Sequence, residues 1–257
     1  MVALGELLLL NKQFDEATNI ANDVLAKNKN YGDAYILLGD VAAMKDDGGN
    51  AAMWYEQSMT MDPKNPQGYM RYANVYRKRS PEESERALNM LKQNCPDFPI
   101  DAEAGNNFYL AGNYEKAYEY FAKTDKANLA EFYLVGYAVS AYMSNHKESA
   151  LEVSKLGVQK FPKDITFDRV ALWSAVDLQK FDEADGYAKV VLSTDSVEKS
   201  SRDYIYYGLA LKGQKQYEAA IAQYEKAFEL NKTDFKPYQY IADTYTEMGQ
   251  EDKALEY

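Results

Sequence analysis

The sequence has 257 residues, 46% hydrophobic and 27% charged, which is enough apolar surface for a folded chain and excludes a disordered one. Forty acidic against 29 basic side chains give a net charge of -11, which repels phosphate backbones and excludes nucleic acid as the expected partner. The single cysteine and single histidine, Cys95 and His146, exclude an intrachain disulfide, Cys-His catalysis and most metal sites, and no apolar run approaches the roughly 20 residues of a membrane span.

Small residues recur along the chain at a nearly constant spacing. An alanine that precedes a helical pattern returns every 30 to 36 residues, at Ala17, Ala51, Ala87, Ala117, Ala150, Ala184, Ala220 and Ala254. Twelve residues before most of these alanines lies a second small residue, at Gly5, Gly39, Gly105, Ala138, Gly208 and Ala242. Two small positions in each period predict two helices in close contact.

The elements predicted in chain order are therefore pairs of amphipathic helices. The pattern is clearest between Tyr204 and Ala227, where apolar and small residues recur at i, i+3, i+4 and i+7 in each half. Eight units are predicted: 1–31, 32–65, 66–98, 99–130, 131–164, 165–200, 201–234 and 235–257. The first and last are incomplete, so we expect both ends of the sequence to lie within repeats of a longer protein.

The turns and joints between these helices carry further predictions. Glycine and asparagine supply the backbone freedom of a tight turn, which predicts turns at Asp46-Asp47-Gly48-Gly49-Asn50, Gly112-Asn113 and Gly213-Gln214-Lys215-Gln216. The unit 99–130 is four residues short near Pro99, so we expect its first helix to start one turn late.

Two further units depart from the regular pattern. The joint at Ser193–Ser201 is two residues longer than elsewhere, a change that loops tolerate at little cost. Leu172 stands where most other units have a small residue. We therefore expect the helix pair that contains Leu172 to splay or shift.

This period resembles the tetratricopeptide repeat family, whose 34-residue helix-turn-helix has a small residue in its first helix and alanines in its second. The match extends over essentially the whole chain and is strongest at Tyr35–Pro63, Tyr204–Leu230 and Tyr238–Ala254. The resemblance implies an all-α, right-handed superhelical solenoid over 1–257. It further implies a protein-interaction or scaffold module that binds a peptide or protein segment on its concave face and is not an enzyme, with no catalytic, metal or cofactor site.

In this family the concave face is lined by the first helix of each unit, and carrying those positions across gives the candidate binding residues. Three units supply an apolar and aromatic group: Phe132, Val135, Val139, Tyr142, Met143, Trp173, Arg202, Tyr206 and Leu209. The unit 66–98 supplies a basic and polar group: Arg71, Asn74 and Arg77. The aromatic group fits either packing between successive first helices or an anchor pocket for a peptide, and Trp173 and Tyr206 favour the pocket because Trp and Tyr are enriched at hot spots.

Other functions stay open at this stage. One is a regulatory module that senses a short peptide, and another is the repeat part of a larger protein with a catalytic domain outside 1–257. Some family members clamp the acidic carboxyl terminus of chaperones with lysines and asparagines, but Glu6, Asp33 and Asp40 occupy inner positions here, which disfavours that role. The sequence names no partner, oligomeric state or compartment, which is the cytoplasm or, with a signal before Met1, the periplasm.

Overall fold

The computed structural model describes residues 1–195 and 198–257, where all regular secondary structure is helical. These residues form 16 α-helices: α1 Val2–Leu10, α2 Phe14–Lys27, α3 Gly32–Met44, α4 Gly48–Met61, α5 Pro66–Tyr76, α6 Pro81–Asn94, α7 Ile100–Ala111, α8 Tyr114–Phe121, α9 Glu131–Met143, α10 Lys147–Lys160, α11 Ile165–Asp177, α12 Phe181–Ser193, α13 Ser201–Gly213, α14 Tyr217–Leu230, α15 Lys236–Glu247 and α16 Glu251–Ala254. A short 3-10 helix, Lys126–Asn128, follows α8. The predicted all-α class is confirmed.

The chain divides into two compact units, Met1–Asn113 with α1 to α7 and Tyr114–Tyr257 with α8 to α16. In the first unit α1 contacts α3 and α3 contacts α5, in addition to the contacts between consecutive helices. In the second unit α9 contacts α11 and α11 contacts α13 in the same way. Within each unit the odd-numbered helices therefore form one layer, and we call the surface of α9, α11 and α13 the first-helix face. The eight repeat boundaries stay a prediction.

Side-chain caps fix the start of several helices. Asp47 accepts a hydrogen bond from the backbone N–H of Asn50 at the start of α4, and Asp164 accepts one from the N–H of Thr166 in α11. At α13 the Ser200 hydroxyl and the Asp203 carboxylate form a reciprocal capping box. Such caps satisfy N–H groups that have no partner within the helix.

The recurring alanines lie where two helices pack most closely. Seven of them are completely inaccessible to solvent: Ala17, Ala51, Ala87, Ala117, Ala150, Ala184 and Ala220. The second small position faces an aromatic ring in two pairs. A Cβ atom on Gly39 would lie 2.3 Å from Cε1 of Tyr55, and one on Gly208 would lie 2.4 Å from Cε1 of Tyr224. The ring occupies the space that a side chain would need.

In the helix pair that contains Leu172, the large residue lies on the first helix and the small residue on the second, which is the reverse of the two pairs above. Leu172 is fully buried and clusters with Ala184 and Ala188. Ala188 follows Ala184 by four residues, as Tyr224 follows Ala220. The large residue on α11 therefore faces a small one on α12, so the splay expected from Leu172 alone is unnecessary.

The turns between paired helices differ from the glycine prediction. Most of the residues with a left-handed backbone there are not glycines, with φ between 58° and 67° at Lys12, Asp46, Asn145, Gln179 and Lys215. Gly112 is left-handed with φ 81°, as predicted. The other two turns lie within their predicted segments, but the left-handed residues there are Asp46 and Lys215, because Gly48 and Gly49 begin α4 and Gly213 ends α13. A Cβ atom on Gly213 would lie 2.4 Å from the ring of Phe181, so this glycine permits close packing instead of a turn.

The shortened unit was predicted in part. α7 begins 5 residues before Gly105, whereas α3 begins 7 residues before Gly39, so α7 starts about half a turn late instead of a full turn. Further residues are lost at the end of α6, which stops 7 residues after Ala87, while α4 continues for 10 residues after Ala51. The longer joint predicted at 193–201 includes residues 196 and 197, which lie outside the described residues.

Tyr55 and Tyr224 occupy equivalent, buried positions, but only one hydroxyl has a partner. Tyr55 donates to Oδ1 of Asp40 at 2.7 Å, whereas the buried Tyr224 hydroxyl has no hydrogen-bond partner among the residues described. A hydrogen bond to a charged acceptor contributes about 1.5 kcal/mol or more, so Tyr55→Phe is expected to lower the free energy of unfolding by that amount. Tyr224→Phe is expected to leave it unchanged or raise it. Urea titrations followed by circular dichroism measure both, and equal losses would contradict the assignment.

Candidate functional site

Three aromatic rings meet on the first-helix face, one from each helix. Tyr142 of α9 lies with its ring centroid 5.5 Å from that of Trp173 of α11, and Trp173 lies 6.1 Å from Tyr206 of α13. The interplanar angles of 52° and 48° are tilted arrangements that aromatic pairs favour. We call these three residues the ring cluster. The sequence predicted the residues, and the structure brings them together because their helices contact in succession.

The hydroxyl of Tyr142 is the polar centre of the ring cluster. It lies 3.1 Å from Oδ2 of Asp177, 2.7 Å from the hydroxyl of Tyr206 and 3.2 Å from a guanidinium nitrogen of Arg202. A phenol has one proton, so Tyr142 donates to the Asp177 carboxylate and accepts from the other two groups. Burial and the neighbouring Tyr206 hydroxyl raise the pKa of Tyr142. Its ring is only 5% exposed, so Tyr142 positions the cluster.

Arg202 places its guanidinium among the three rings. Its central carbon lies 3.9 Å from the centroid of Trp173 and 5.4 Å from the centroids of Tyr142 and Tyr206. All three distances are within the range of cation–π attraction, which is strongest on Trp. The ring cluster is therefore a cation-binding enclosure that holds the chain's own arginine.

Two charged residues complete the ring cluster and were missed by the sequence reasoning. Lys147, the first residue of α10, lies with Nζ 3.5 Å from the centroid of Tyr142 and 3.1 Å from Oδ2 of Asp177. Asp177 ends α11, one repeat length after Tyr142. That spacing of 35 residues could have identified Asp177 from the sequence, because equivalent positions in successive units are neighbours.

A groove opens beside the ring cluster, between α13 and α15. It has a volume of about 710 Å³. Residues of both signs line it together with apolar ones, including Arg202, Ile205, Tyr206, Asp234, Lys236 and Tyr240. Tyr206 belongs to the ring cluster and Arg202 lies among its rings, and both residues also line the groove. A segment lying in the groove would thus meet the guanidinium and the edge of the rings.

The remaining apolar candidates lie around the cluster without joining it. Phe132 and Met143 are 55% and 49% exposed, which leaves apolar surface on α9 at both ends. Val135 and Val139 are half-buried between them. Leu209 packs against the hydrophobic core of α11 to α15. Phe132 and Met143 are accordingly the members of this group that offer most surface to a partner.

The basic and polar candidates of the first unit are held by partners within that unit. Arg71 forms an ion pair with Asp40, with Nε 3.2 Å from Oδ1. Asn74 accepts a hydrogen bond at 2.8 Å from Nδ2 of Asn107, which in turn accepts from the Ser84 hydroxyl. Arg77 is half-buried at the end of α5. The contacts of Arg71 and Asn74 connect α3, α5, α6 and α7, and a binding role of this group stays a prediction.

The groups of interest for chemistry show no catalytic arrangement. His146 precedes α10, stacks on Tyr118 at 3.8 Å and lies 3.4 Å from a carboxylate oxygen of Glu115. Among the described residues no group of three or more His, Cys, Asp or Glu could hold a metal ion. In the same part of the chain no helix is both long and apolar enough to cross a membrane.

This geometry, stacked helix pairs with a side-chain cluster on one layer, defines a helical-repeat interaction protein. Family models described as tetratricopeptide repeat match residues 204–234 and 223–256. No curated protein matches the sequence significantly. Residues 204–256 therefore match tetratricopeptide repeats, which form protein-interaction and scaffold modules.

Solved structures show the same fold. A tetratricopeptide repeat protein from Parabacteroides merdae ATCC 43184 is similar over 95% of this chain and 96% of its own, with a TM-score of 0.55 and 16% identity. MamA from Desulfovibrio magneticus RS-1, from residue 41 to its end, is similar over 61% of this chain and 90% of its own, with a TM-score of 0.52 and 18% identity. At these identities the likeness concerns the fold alone.

Proposed function

We propose that this chain binds a peptide segment of a protein partner on the first-helix face, at the ring cluster and the groove beside it. The observation that carries the proposal is the position of Trp173 and Tyr206. Both rings are only partly buried, and Tyr206 lines the groove. Partly buried aromatic residues beside a groove are the usual anchors of a peptide interface.

The ring cluster is also preorganised for binding. Its helices are fixed to one another by an ion pair between Arg169 of α11 and the buried Asp203 of α13, and by the hydroxyl contacts of Tyr142. A surface that is already ordered loses little conformational entropy when a partner binds. This rigidity favours a binding surface over simple helix packing, which needs no partly exposed Trp.

The chain itself acts by binding and not by catalysis in this proposal. The Tyr142 hydroxyl beside the Asp177 carboxylate belongs to a buried residue, and that carboxylate is paired with Lys147, so neither group is free to react. Nucleic acid is disfavoured because the net charge is -11. A protein segment is the partner class that remains.

The test needs peptides that bind the protein and a matched pair of tryptophan variants. Peptides are selected from a random phage-displayed library on the wild-type protein and titrated by calorimetry. Trp173→Ala is expected to raise their Kd about 30-fold, because truncating a central aromatic anchor costs about 2 kcal/mol. Trp54→Ala, the same change at the only other tryptophan, removes a half-buried ring stacked on Tyr35 and is expected to change Kd less than twofold, within about 0.4 kcal/mol.

Both variants must first show the circular dichroism spectrum of the wild type. Selected peptides that bind Trp173→Ala as tightly as the wild type would place the binding surface elsewhere. The basic group around Arg71 and Arg77 in the first unit would then be tested next.

A further inference from the structure

We infer that the ring cluster is a cation-binding pocket that Arg202 fills in the free protein, and that a partner's arginine side chain takes its place. The inference rests on the proposed function and adds the chemistry of the partner: a basic segment that inserts a guanidinium among Tyr142, Trp173 and Tyr206. It makes Arg202 an internal competitor of the ligand.

Two other arginines on odd-numbered helices have carboxylate partners, and Arg202 differs from them in its contacts. Arg169 is paired with Asp203 at 3.0 Å, and Arg71 is paired with Asp40 at 3.2 Å. No carboxylate partner of Arg202 is found among the described residues, where its contacts are the three rings and the hydroxyls of Tyr142 and Tyr206. Arg202 is thus held by the pocket alone, and nothing with an opposite charge fixes it there.

The pocket supplies contacts that a guanidinium can make, and the neighbouring groove gives the Arg202 side chain a second position. Trp173 supplies a ring face at 3.9 Å, and Tyr142 supplies a hydroxyl oxygen that accepts from a guanidinium N–H at 3.2 Å. The groove next to the pocket is lined by Arg202 itself and by Asp234. When displaced, the Arg202 side chain can enter this groove and pair with that carboxylate, which offsets the loss of its contacts with the rings.

The charge of this part of the chain favours a basic occupant. Residues 114–257 contain 24 acidic and 18 basic side chains, so the second unit is negatively charged. Asp177 lies against the pocket through the hydroxyl of Tyr142, and Asp234 lies in the groove. The groove also contains Glu198, Lys199 and Lys236, so its own charges are mixed, and a basic segment gains from the negative charge of the second unit as a whole.

The inference predicts that removing Arg202 strengthens binding of a small cationic probe. The probe is an N-acetylated, C-amidated Gly-Arg-Gly tripeptide, and its neutral counterpart carries citrulline instead of arginine. Trp173 emission reports binding in a Trp54→Phe background, because the chain has only two tryptophans. Arg202→Gln is expected to bind the arginine probe roughly tenfold more tightly than the background protein, because emptying the pocket raises the competent fraction of molecules. The citrulline probe is expected not to bind.

Lys236→Gln is the matched control, because Lys236 lines the same groove and no contact of its side chain with an aromatic ring is seen in the described residues. It removes the same charge without emptying the pocket, so its affinity is expected to stay near that of the background protein. Adding Tyr206→Leu to Arg202→Gln removes one wall and is expected to abolish the gain, as judged by calorimetry.

Equal affinities for Arg202→Gln and Lys236→Gln would overturn the inference, and so would equal affinities for the arginine and citrulline probes. Weaker binding of selected peptides by Arg202→Gln would show that Arg202 is itself a ligand contact. In each of these cases a loss of affinity in Trp173→Ala would still support the proposed function. If Trp173→Ala has no effect on the selected peptides while the arginine probe behaves as expected, the pocket exists but is not the peptide site.

Discussion

Gly208→Ala is expected to lower the free energy of unfolding by about 3 kcal/mol, the upper end of the usual cost of overpacking. The added Cβ atom would lie 2.4, 2.7 and 2.9 Å from three carbons of the Tyr224 ring. Tyr224 of α14 is completely buried in a cluster with residues of α13 and α15, so its ring has little room to move away. The loss is measured by urea denaturation followed by circular dichroism at the helical band.

Gly186→Ala provides the matched control with the opposite expected sign. Gly186 lies within α12 and is exposed, and a Cβ atom there would meet nothing within 4 Å. Replacing an exposed helical glycine by alanine stabilises a helix by about 0.5 to 1 kcal/mol. Similar losses in both variants would mean that glycine at position 208 is needed for a reason other than the Tyr224 ring.

Combining Gly208→Ala with Tyr224→Leu tests the contact directly. Removing the ring makes room for the new Cβ atom, so the double variant is expected to lose less than the sum of the two single losses. Residues in contact commonly show coupling of about 0.5 to 3 kcal/mol. The pair formed by Leu172 and Ala188 shows that this fold accommodates the exchange of sizes.

The repeat and the buried alanines could be predicted because they depend on the size of one residue at a time. A helix crossing admits only a small side chain, so Ala51 or Ala220 is constrained whatever surrounds it. It was harder to predict which large and small side chains face each other where two paired helices cross. Leu172 appeared as a departure when read alone, and its place in one buried cluster with Ala184 and Ala188 explains it.

The turn segments could be predicted, but the left-handed residue in each could not, because glycine has two uses. It reaches left-handed backbone without strain, which Gly112 illustrates, but it also allows another group to approach the backbone. Gly213 has the second use, since the ring of Phe181 packs against it. A left-handed backbone at a residue other than glycine costs only about 1 to 2 kcal/mol of free energy. Asp46 and Lys215 adopt this backbone within well-packed helix pairs.

The binding candidates could be placed on the right helices, but their contacts could not be predicted. Tyr142, Trp173 and Tyr206 follow from the repeat spacing because equivalent positions in successive units are neighbours. The partners of the arginines depend on side-chain conformation and on which acid is within reach. Arg169 and Arg202 both lie on first helices, yet one pairs with Asp203 and the other lies on aromatic rings.

Arg169→Ala is expected to lower the free energy of unfolding by about 3 kcal/mol, because it leaves a buried carboxylate without its counter-charge. Asp203 is completely buried and accepts from Nε of Arg169 at 3.1 Å and from a terminal nitrogen at 3.0 Å. Lys189→Ala breaks an exposed ion pair with Asp185, and such pairs contribute about 0 to 1 kcal/mol. Urea denaturation compares the two variants, and a loss in Arg169→Ala no larger than in Lys189→Ala would show that the buried pair does not hold α11 to α13. Adding Asp203→Asn to Arg169→Ala is expected to restore part of the stability, since a neutral amide needs no counter-charge and still accepts a hydrogen bond from the N–H of Ser200.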